Sequence, residues 1–344
     1  MDNFILKEIF LSYKKEKNNL IKFLNENELN LDEDVEYAVG IFNEDDELVA
    51  CGAYSKNVLK CFAVKEEFRG QNILNKIASN LIIKQFDRGI HHLFVYTKPS
   101  NEGFFNSLGF YKVEETEQVV LLENIKSGIE NFAISLQKSD NINNNIGSIV
   151  MNCNPFTKGH RYLIEYASKN CDLLHIFIVE EDRSYFPFDI RYQLVKDGIE
   201  DLNNVILHKS GQYIISSTTF PTYFIKDKHK RADVYAELDL KIFAKHIAPT
   251  LNITKRFVGK EPFCQVTNQY NGAMKKILPN YNIEVIEIDR IESEGTAISA
   301  SSVRNHIKNY GVNEKLKELV PLTTYNFLDS VEAKSIIFNI KNSD

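Results

Sequence analysis

The repeated alternation of strand-like and helix-like patterns between residues 147 and 210 limits the fold more than any other feature. The stretches "GSIVMN", "LLHIFIVEE" and "VILHKS" are apolar runs typical of buried strands, and the amphipathic "GHRYLIEYASKN" and "IRYQLVKDGIED" lie between them. Parallel strands need a crossover connection, which is usually a helix. An α/β fold is therefore predicted, with a Rossmann-like parallel sheet in this half of the chain.

The residues before this region have a different pattern and predict a second domain. Strand-like "AVGIFN", "LVACGAYS" and "NVLKCFAV" come first, the helix-like "NILNKIASNLIIKQFDRG" follows, and "HHLFVYT" adds another strand. A length of 344 residues also exceeds what one ordinary core organises. We expect an α+β domain at 1–125, a linker at 126–146 that is Asn-rich at its end, and the parallel-sheet domain at 147–344.

Composition and charge exclude several classes of protein. No apolar run approaches the roughly 20 residues of a membrane helix, and the start "MDNFILKEIF" does not resemble a secretion signal, so we expect a cytoplasmic protein without a membrane partner. Five cysteines form no CxxC pair, and no protein metal site is expected. A net charge of -6 gives no overall attraction to nucleic acid.

The turn "NCNPFTKGH" after the first strand of the parallel region is the main candidate site. Ligands of open α/β sheets bind at the carboxyl ends of strands, where a helix N-terminus offers unpaired N–H groups and the positive end of its dipole. Thr157 and His160 can point the same way as hydrogen-bond donors, and Gly159 permits close approach of a ligand. The turn is predicted to bind phosphate. The alternative is that Thr157 caps the helix and His160 is an ordinary first-turn residue.

A second helix start lies far downstream, in "GTAISASSVRNHIKNYG". Ser299, Ser301 and Ser302 precede or begin a helix-like segment, and their hydroxyls could meet phosphate oxygens. Arg304 lies one turn further along, where a guanidinium could neutralise charge on a β- or γ-phosphate. The alternative is an ordinary serine cap with a surface arginine.

These motifs carry a resemblance to known families. "TKGH" after a first strand, with "ISASSVR" downstream, resembles the (H/T)xGH and ISxxxxR motifs of the nucleotidyltransferase superfamily, in which ATP binds between the two helix starts. "YFPFDIR", "YIISSTTFPTYFIK" and "QYNGAMKKILP" are similar to the citrate lyase ligase family, and the resemblance covers most of 147–304. In the front half, "FRGQNILNKI" and "NEGFFNSLGFYKV" resemble the GNAT acetyltransferases, a type of N-terminal domain that this family carries.

The front half departs from the pattern of working acetyltransferases at the phosphate-binding loop. In the register that begins at Arg69, Asn72 and Leu74 stand where small residues are expected. Side chains there would crowd a loop whose amides must reach a cofactor's phosphates. A degenerate GNAT-like domain with a docking or structural role is therefore expected.

The citrate lyase ligase resemblance implies a ligase that activates acetate with ATP and releases AMP and pyrophosphate. The acetyl group would pass to the prosthetic-group thiol of the citrate lyase acyl carrier subunit, and Mg²⁺ would bridge phosphate oxygens. By this resemblance His160 stabilises charge at the α-phosphate and Thr157 hydrogen-bonds a phosphate. The implied ATP-binding residues are Asn152, Asn154, Pro155, Phe156, Gly159, Gly259, Ser299, Ser301, Ser302 and Arg304. Arg191 is expected either to contact an anion or to be solvated.

Two other functions stay open. The first is that of a tRNA cytidine acetate ligase, which also has "NPF" followed by a GH pair, or of another acid-activating adenylyltransferase. The acidic chain and the GNAT-like front half argue against tRNA as acceptor. The second is a binding module that only senses nucleotide, against which the intact "TKGH" and "ISASSVR" argue.

Overall fold

A computed structural model of the protein describes residues 4–137, 145–180, 184–215, 228–261, 265–293 and 295–343. Of these, the residues up to 130 and those from 228 to 238 form one compact unit. The residues from 131 to 215 and from 239 onward form a second unit. Within the described ranges, every helix is too short or too polar to span a membrane.

The first unit is built on a seven-stranded mixed sheet. Its strands are β1 (Ile5–Ile9), β2 (Tyr37–Phe42), β3 (Leu48–Ser55), β4 (Val58–Val64), β5 (Phe94–Thr97), β6 (Tyr111–Glu115) and β7 (Val120–Glu123). Their spatial order is β1-β2-β3-β4-β5-β7-β6, and all pairs are antiparallel except β4 with β5. Because strands β2 to β4 follow one another in the chain and pair as a meander, the α+β prediction for this half is confirmed.

The unit includes the helices α1 (Lys14–Glu26), α2 (Ile73–Asp87) and α3 (Glu102–Ser107). Helix α2 buries Ile73, Ile77 and Leu81, which recur every four residues and so form one apolar face. This face packs closely on the sheet, since a Cβ added at Gly52 in β3 would come within 2.5 Å of the Ile77 side chain. The absence of a side chain at Gly52 therefore allows α2 to pack this close to the sheet.

The predicted linker contains a helix, α4 (Gly128–Ser135). The backbone N–H of Ile129 donates to Glu123 Oε1 at 2.9 Å, which satisfies a group at the start of the helix. Ile129 and Ala133 are buried, at the four-residue spacing of a helix face. The predicted linker thus has a helix at 128–135, which the sequence did not predict. The Asn-rich residues 138–144 lie outside the described residues, and the domain boundaries stay a prediction.

The second unit contains a five-stranded parallel sheet of β8 (Ile146–Met151), β9 (Leu173–Ile178), β10 (Val205–Lys209), β11 (Ile253–Gly259) and β12 (Glu284–Ile288). The spatial order is β10-β9-β8-β11-β12, with every pair parallel, so the predicted Rossmann-like sheet is confirmed. The order reverses between β8 and β11. Open α/β sheets bind ligands outside the carboxyl ends of strands at such a reversal.

Helices and one small hairpin complete the second unit. They are α5 (Lys158–Lys169), α6 (Phe188–Gly198), α7 (Lys228–Ile242, of which 239–242 belong to this unit), α8 (Gln265–Ile277), the hairpin β13 (Glu292–Ser293) and β14 (Thr296–Ala297), α9 (Ala300–Tyr310), α10 (Leu316–Leu319), α11 (Leu322–Leu328) and α12 (Lys334–Lys341). Ile149 of β8, Ile164 of α5, Val195 of α6 and Phe257 of β11 share one buried cluster. Helices α5 and α6 therefore cover the same face of the sheet.

Candidate functional site

The turn between β8 and α5 ends in a reciprocal helix cap. Thr157 is the N-cap residue of α5, and its Oγ1 accepts a hydrogen bond from the backbone N–H of His160 at 3.3 Å. In return, His160 Nδ1 accepts from the backbone N–H of Thr157 at 3.1 Å. The two bonds satisfy N–H groups that a helix start leaves open. Thr157, 1% exposed, is thus a capping residue, and its contact with a phosphate stays a prediction.

The cap also fixes the protonation state of His160. Because Nδ1 accepts the Thr157 N–H, the proton of the neutral imidazole lies on Nε2. Burial, and to a smaller extent the positive charge of Arg290, lowers the pKa of His160 to about 4. The imidazole is therefore neutral at pH 7 and presents one donor, Nε2–H, in the first turn of α5.

The second predicted helix start is built in the same way. Ser299 is the N-cap residue of α9, with Ser302 N donating to Ser299 Oγ at 3.0 Å and Ser299 N donating to Ser302 Oγ at 2.9 Å. These two serines hold the helix start. Ser301 is exposed, and its Oγ accepts from Arg304 Nη2 at 3.0 Å. Ser301 and Arg304 are thus the residues of this motif whose side chains extend away from the cap.

Two contacts bring the separate motifs together. A Cβ added at Gly159 would lie 2.5 Å from the carbonyl oxygen of Ile298, the residue before the α9 cap. Arg304 Nη1 donates to the carbonyl oxygen of Asn154 in the first turn. The missing side chain of Gly159 therefore lets two helix starts approach each other, whereas the sequence suggested approach of a ligand. Two adjacent helix N-termini form a site that favours anions.

The carboxyl end of β11 lies on the other side of the sheet reversal from β8. A Cβ added at Gly259 would meet no atom of the described residues within 4 Å, and the predicted contact of Gly259 with ATP stays a prediction. Arg290, which follows β12, donates from Nε to the Lys260 carbonyl oxygen at 2.6 Å and from Nη2 to Glu261. Its charge acts on His160. The sequence did not single out Arg290, because nothing in it places β12 beside β11.

Two of the predicted ATP-binding residues are buried, and their contact with ATP stays a prediction. Phe156 is 0% exposed and belongs to the core cluster of β8, α5 and α6. A Cβ added at Gly198 in α6 would come within 2.5 Å of the Phe156 ring, so the ring is tightly enclosed. Pro155 is buried as well. Both apolar side chains are therefore shielded from solvent in this turn.

Arg191 is not solvated, so that expectation is wrong, while its contact with an anion stays a prediction. The side chain is 0% exposed, and it donates from Nη1 to the carbonyl oxygens of Val179 at 2.7 Å and Asn152 at 2.9 Å. Nε donates to the carbonyl oxygen of Phe186 at 2.9 Å. The guanidinium joins the turns after β8 and β9 and is shielded from solvent. Asn152 itself is exposed, and its Nδ2 donates to Ser184 Oγ at 3.1 Å.

Asn154 lies at the junction of the two motifs, and its contact with ATP stays a prediction. Its Oδ1 accepts from the backbone N–H of Phe186 at 3.1 Å, while its carbonyl oxygen accepts from Arg304. The acidic stretch "EED" after β9 is described only at Glu180, whose Oε2 accepts from Gly211 N at 2.6 Å. Among the described residues, no three His, Cys, Asp or Glu side chains are placed to hold a metal.

A cleft of about 610 Å³ lies in the first unit, at the loop that departs from the acetyltransferase pattern. Asn72 takes a left-handed backbone conformation (φ 62°), which asparagine tolerates better than most residues, and it is exposed. Leu74 packs against the core of the unit. Both residues line the cleft without filling it. The crowding of the loop amides expected from the sequence and a docking role both stay predictions.

The second unit is an open parallel α/β domain with two helix N-termini beside each other. A family model described as the citrate lyase ligase C-terminal domain matches residues 146–328, more than half of the chain. A GNAT acetyltransferase domain model matches residues 11–121. The chain belongs to the citrate lyase ligase family, and the predicted GNAT-type front domain is confirmed.

Full-length relatives agree with this assignment. The chain is 43% identical over 327 residues to the [citrate [pro-3S]-lyase] ligase of Haemophilus influenzae, covering 92% of this chain and 97% of the relative. It is 40% identical over 334 residues to the enzyme of the same name from Escherichia coli K12, covering 94% of each. Both domains are therefore shared with these relatives.

Proposed function

We propose that the protein is a citrate lyase ligase: it activates acetate with ATP and acetylates the prosthetic-group thiol of the citrate lyase acyl carrier subunit. The observation that carries the proposal is the junction of two helix N-termini at the sheet reversal, with the neutral His160 in the first turn of one of them. Such a junction suits a polyphosphate. Family membership supplies the acid and the acceptor.

The chemistry needs two displacements. An acetate oxygen attacks the α-phosphorus of ATP and pyrophosphate leaves, which gives acetyl-adenylate. The thiolate sulfur then attacks the acetyl carbonyl carbon and AMP leaves, which gives the thioester. Each step builds negative charge on oxygen, so positioning and charge stabilisation matter more than covalent help from the protein.

The residues divide this work between the two helix starts. The Nε2–H of His160 donates to an α-phosphate oxygen, and the first-turn N–H groups of α5, which have no acceptor within the helix, add to it. Ser301 and Arg304 hold the departing pyrophosphate at the start of α9. An ATP bound here raises the pKa of His160, since a nearby negative charge favours the imidazolium.

Magnesium enters this proposal with the nucleotide. It supplies charge neutralisation on the phosphate oxygens. Phosphate oxygens would be its main ligands, as is usual for magnesium bound with a nucleotide. The roles of His160, Ser301 and Arg304 do not depend on a metal ligand in the protein.

The GNAT-type front domain is proposed to dock the acyl carrier subunit. Support comes from its departure from the acetyltransferase phosphate loop at Asn72 and Leu74, and from the cleft that these residues line. Slower hydrogen exchange in residues 62–75 on addition of the carrier subunit is the expected result. Protection by acetyl-CoA instead would argue for a retained cofactor site.

The test is an acetyl-transfer assay with labelled acetate, Mg–ATP and the deacetylated thiol form of citrate lyase, with tRNA as a parallel acceptor. Label on the acyl carrier subunit, together with recovery of lyase activity, is expected. Label only on tRNA would select the cytidine acetate ligase. If neither acceptor is labelled and no AMP forms, the chain is a nucleotide-binding module or uses another acid.

A further inference from the structure

Arg256, in the middle of β11, is a buried cation without a hydrogen bond. It is 3% exposed, and its Nε and Nη1 atoms find no partner within the described ranges. The guanidinium carbon lies 4.7 Å from the centre of the Phe243 ring. Arg191, equally buried, donates to four oxygen atoms. A buried charge without hydrogen bonds is among the costliest features a fold can carry, so its presence needs a reason.

The position of Arg256 ties it to the nucleotide site. It pairs with Ser148 of β8, across the strand boundary where the sheet order reverses. It lies three residues before Gly259, or about 10 Å along the strand from the carboxyl edge. Because side chains alternate along a strand, Arg256 faces away from Phe257 and the α5 side of the sheet. The guanidinium is therefore under the β8/β11 crevice, on the α8 side.

One acidic group faces Arg256, but its oxygen atoms serve other donors. Asp239 Oδ2 accepts from Tyr270 OH at 2.5 Å, and Asp239 Oδ1 accepts from the Ile215 N–H at 2.7 Å. Asp239 and Tyr270 act on Arg256 through their charges, and burial still lowers the pKa of Arg256 overall. Asp239 thus balances part of the charge without supplying a hydrogen bond.

We propose that Arg256 binds the carboxylate of the acid substrate. The planar guanidinium fork matches a carboxylate, and the Phe243 ring beside it offers apolar surface to a short alkyl group. A small monocarboxylate fits better than a phosphate, because the buried Asp239 carboxylate would repel a multiply charged anion. This inference rests on the proposed acetate activation and names the residue that holds the acetate.

The test compares Arg256→Met and Arg256→Lys in the full-length protein, with Lys255→Met as the matched control on the same strand. Acetate-dependent AMP formation is measured over ranges of acetate and of ATP, together with thermal unfolding. Arg256→Met is expected to raise the KM for acetate about 100-fold. The KM for ATP should change less than about threefold, because the phosphates bind at the helix starts. The Tm should hold or rise, since an unpaired buried charge is removed.

Three results would overturn the inference. An unchanged KM for acetate would show that the acid binds elsewhere, and a rise in the KM for ATP alone would assign Arg256 to a phosphate. A large fall in Tm in both variants, with an unchanged KM for acetate, would make Arg256 a structural partner of Asp239.

Direct binding separates this inference from the proposed function. Line broadening of labelled acetate by the unsubstituted protein is expected to be lost in Arg256→Met and kept in Lys255→Met. Acetate binding that depends on Arg256 in a protein without acetate-dependent AMP formation would sustain the site and refute the reaction. Binding that survives in Arg256→Met would refute the site.

Discussion

His160 serves two purposes, and a pair of substitutions separates them. Nδ1 accepts the Thr157 N–H of the helix cap, while Nε2–H is the donor assigned to the α-phosphate. In an asparagine side chain, Oδ1 lies near the position of the histidine Nδ1. Asparagine has no atom at the position of Nε2. His160→Asn therefore keeps the cap and removes the donor, whereas His160→Ala removes both.

The magnitudes follow from these two hydrogen bonds. Loss of one positioned donor to a developing oxyanion costs about 2.7–4 kcal/mol, or about 100- to 1,000-fold in rate. Loss of the cap costs about 1 kcal/mol of folding free energy. We expect the rate to fall about 100- to 1,000-fold in both variants. Only His160→Ala should also lose about 1 kcal/mol of folding free energy.

The assay is acetate-dependent exchange of pyrophosphate into ATP, run beside denaturant unfolding of the same preparations. Exchange at His160→Asn within about threefold of the unsubstituted rate would refute the catalytic role of Nε2. Equal destabilisation of both variants would refute the capping role of Nδ1. Unchanged ATP affinity in His160→Asn serves as the control that the site is intact.

Three further predictions concern the same site. Gly159→Ala places a Cβ 2.5 Å from the Ile298 carbonyl oxygen, and it should lower the free energy of unfolding by about 1–3 kcal/mol and weaken ATP binding, both measurable by thermal shift with and without ATP. The pKa of His160 falls from 6.5 to about 4 on folding, so the unfolded chain binds more protons between these values. Stability should decline by up to about 3 kcal/mol as the pH is lowered through this window, and it should decline less in His160→Asn. Arg304→Lys keeps the charge but cannot reach Asn154 and Ser301 together, so a KM for ATP about tenfold higher, with unchanged KM for acetate, is expected in steady-state assays.

The parallel sheet was predictable because its strands are short apolar runs separated by amphipathic helices. Strands β8, β9 and β10 and helices α5 and α6 lie where the alternation placed them. Helix α4 was missed because it is only eight residues long and stands beside an Asn-rich stretch that dominates the composition. Local sequence patterns thus predict long helices and strands. They miss a short helix beside a stretch of strongly biased composition.

The candidate site was predictable where helix caps have sequence signatures. The spacing of Thr157 from His160 and of Ser299 from Ser302 is that of a capping box, and both boxes are present. The sequence could not predict that the N-termini of α5 and α9 lie against each other, because the contact at Gly159 joins residues 139 positions apart. The motif resemblance supplied what the spacing alone did not.

Burial is the property that the motif did not show. Phe156, Pro155 and Arg191 stand in or near the motif, so they were assigned to the site, and the structure buries all three side chains. Arg256 and Arg290 lie far from the motif and were not singled out, although the fold brings one under the crevice and the other near His160. The order of the strands in the sheet determines where Arg256 and Arg290 lie. No single segment of the sequence shows that order.

Acid activation by adenylation leaves an isotopic record that a nucleotide-binding module does not produce, and the acceptor that is acetylated separates it from a tRNA cytidine acetate ligase. In acetate labelled with ¹⁸O, the oxygen that attacks the α-phosphorus stays on AMP when the thiol displaces it. The account predicts AMP that carries one ¹⁸O per turnover, detected by mass spectrometry after acetylation of the citrate lyase carrier subunit. Unlabelled AMP, or label in inorganic phosphate or pyrophosphate, would contradict it.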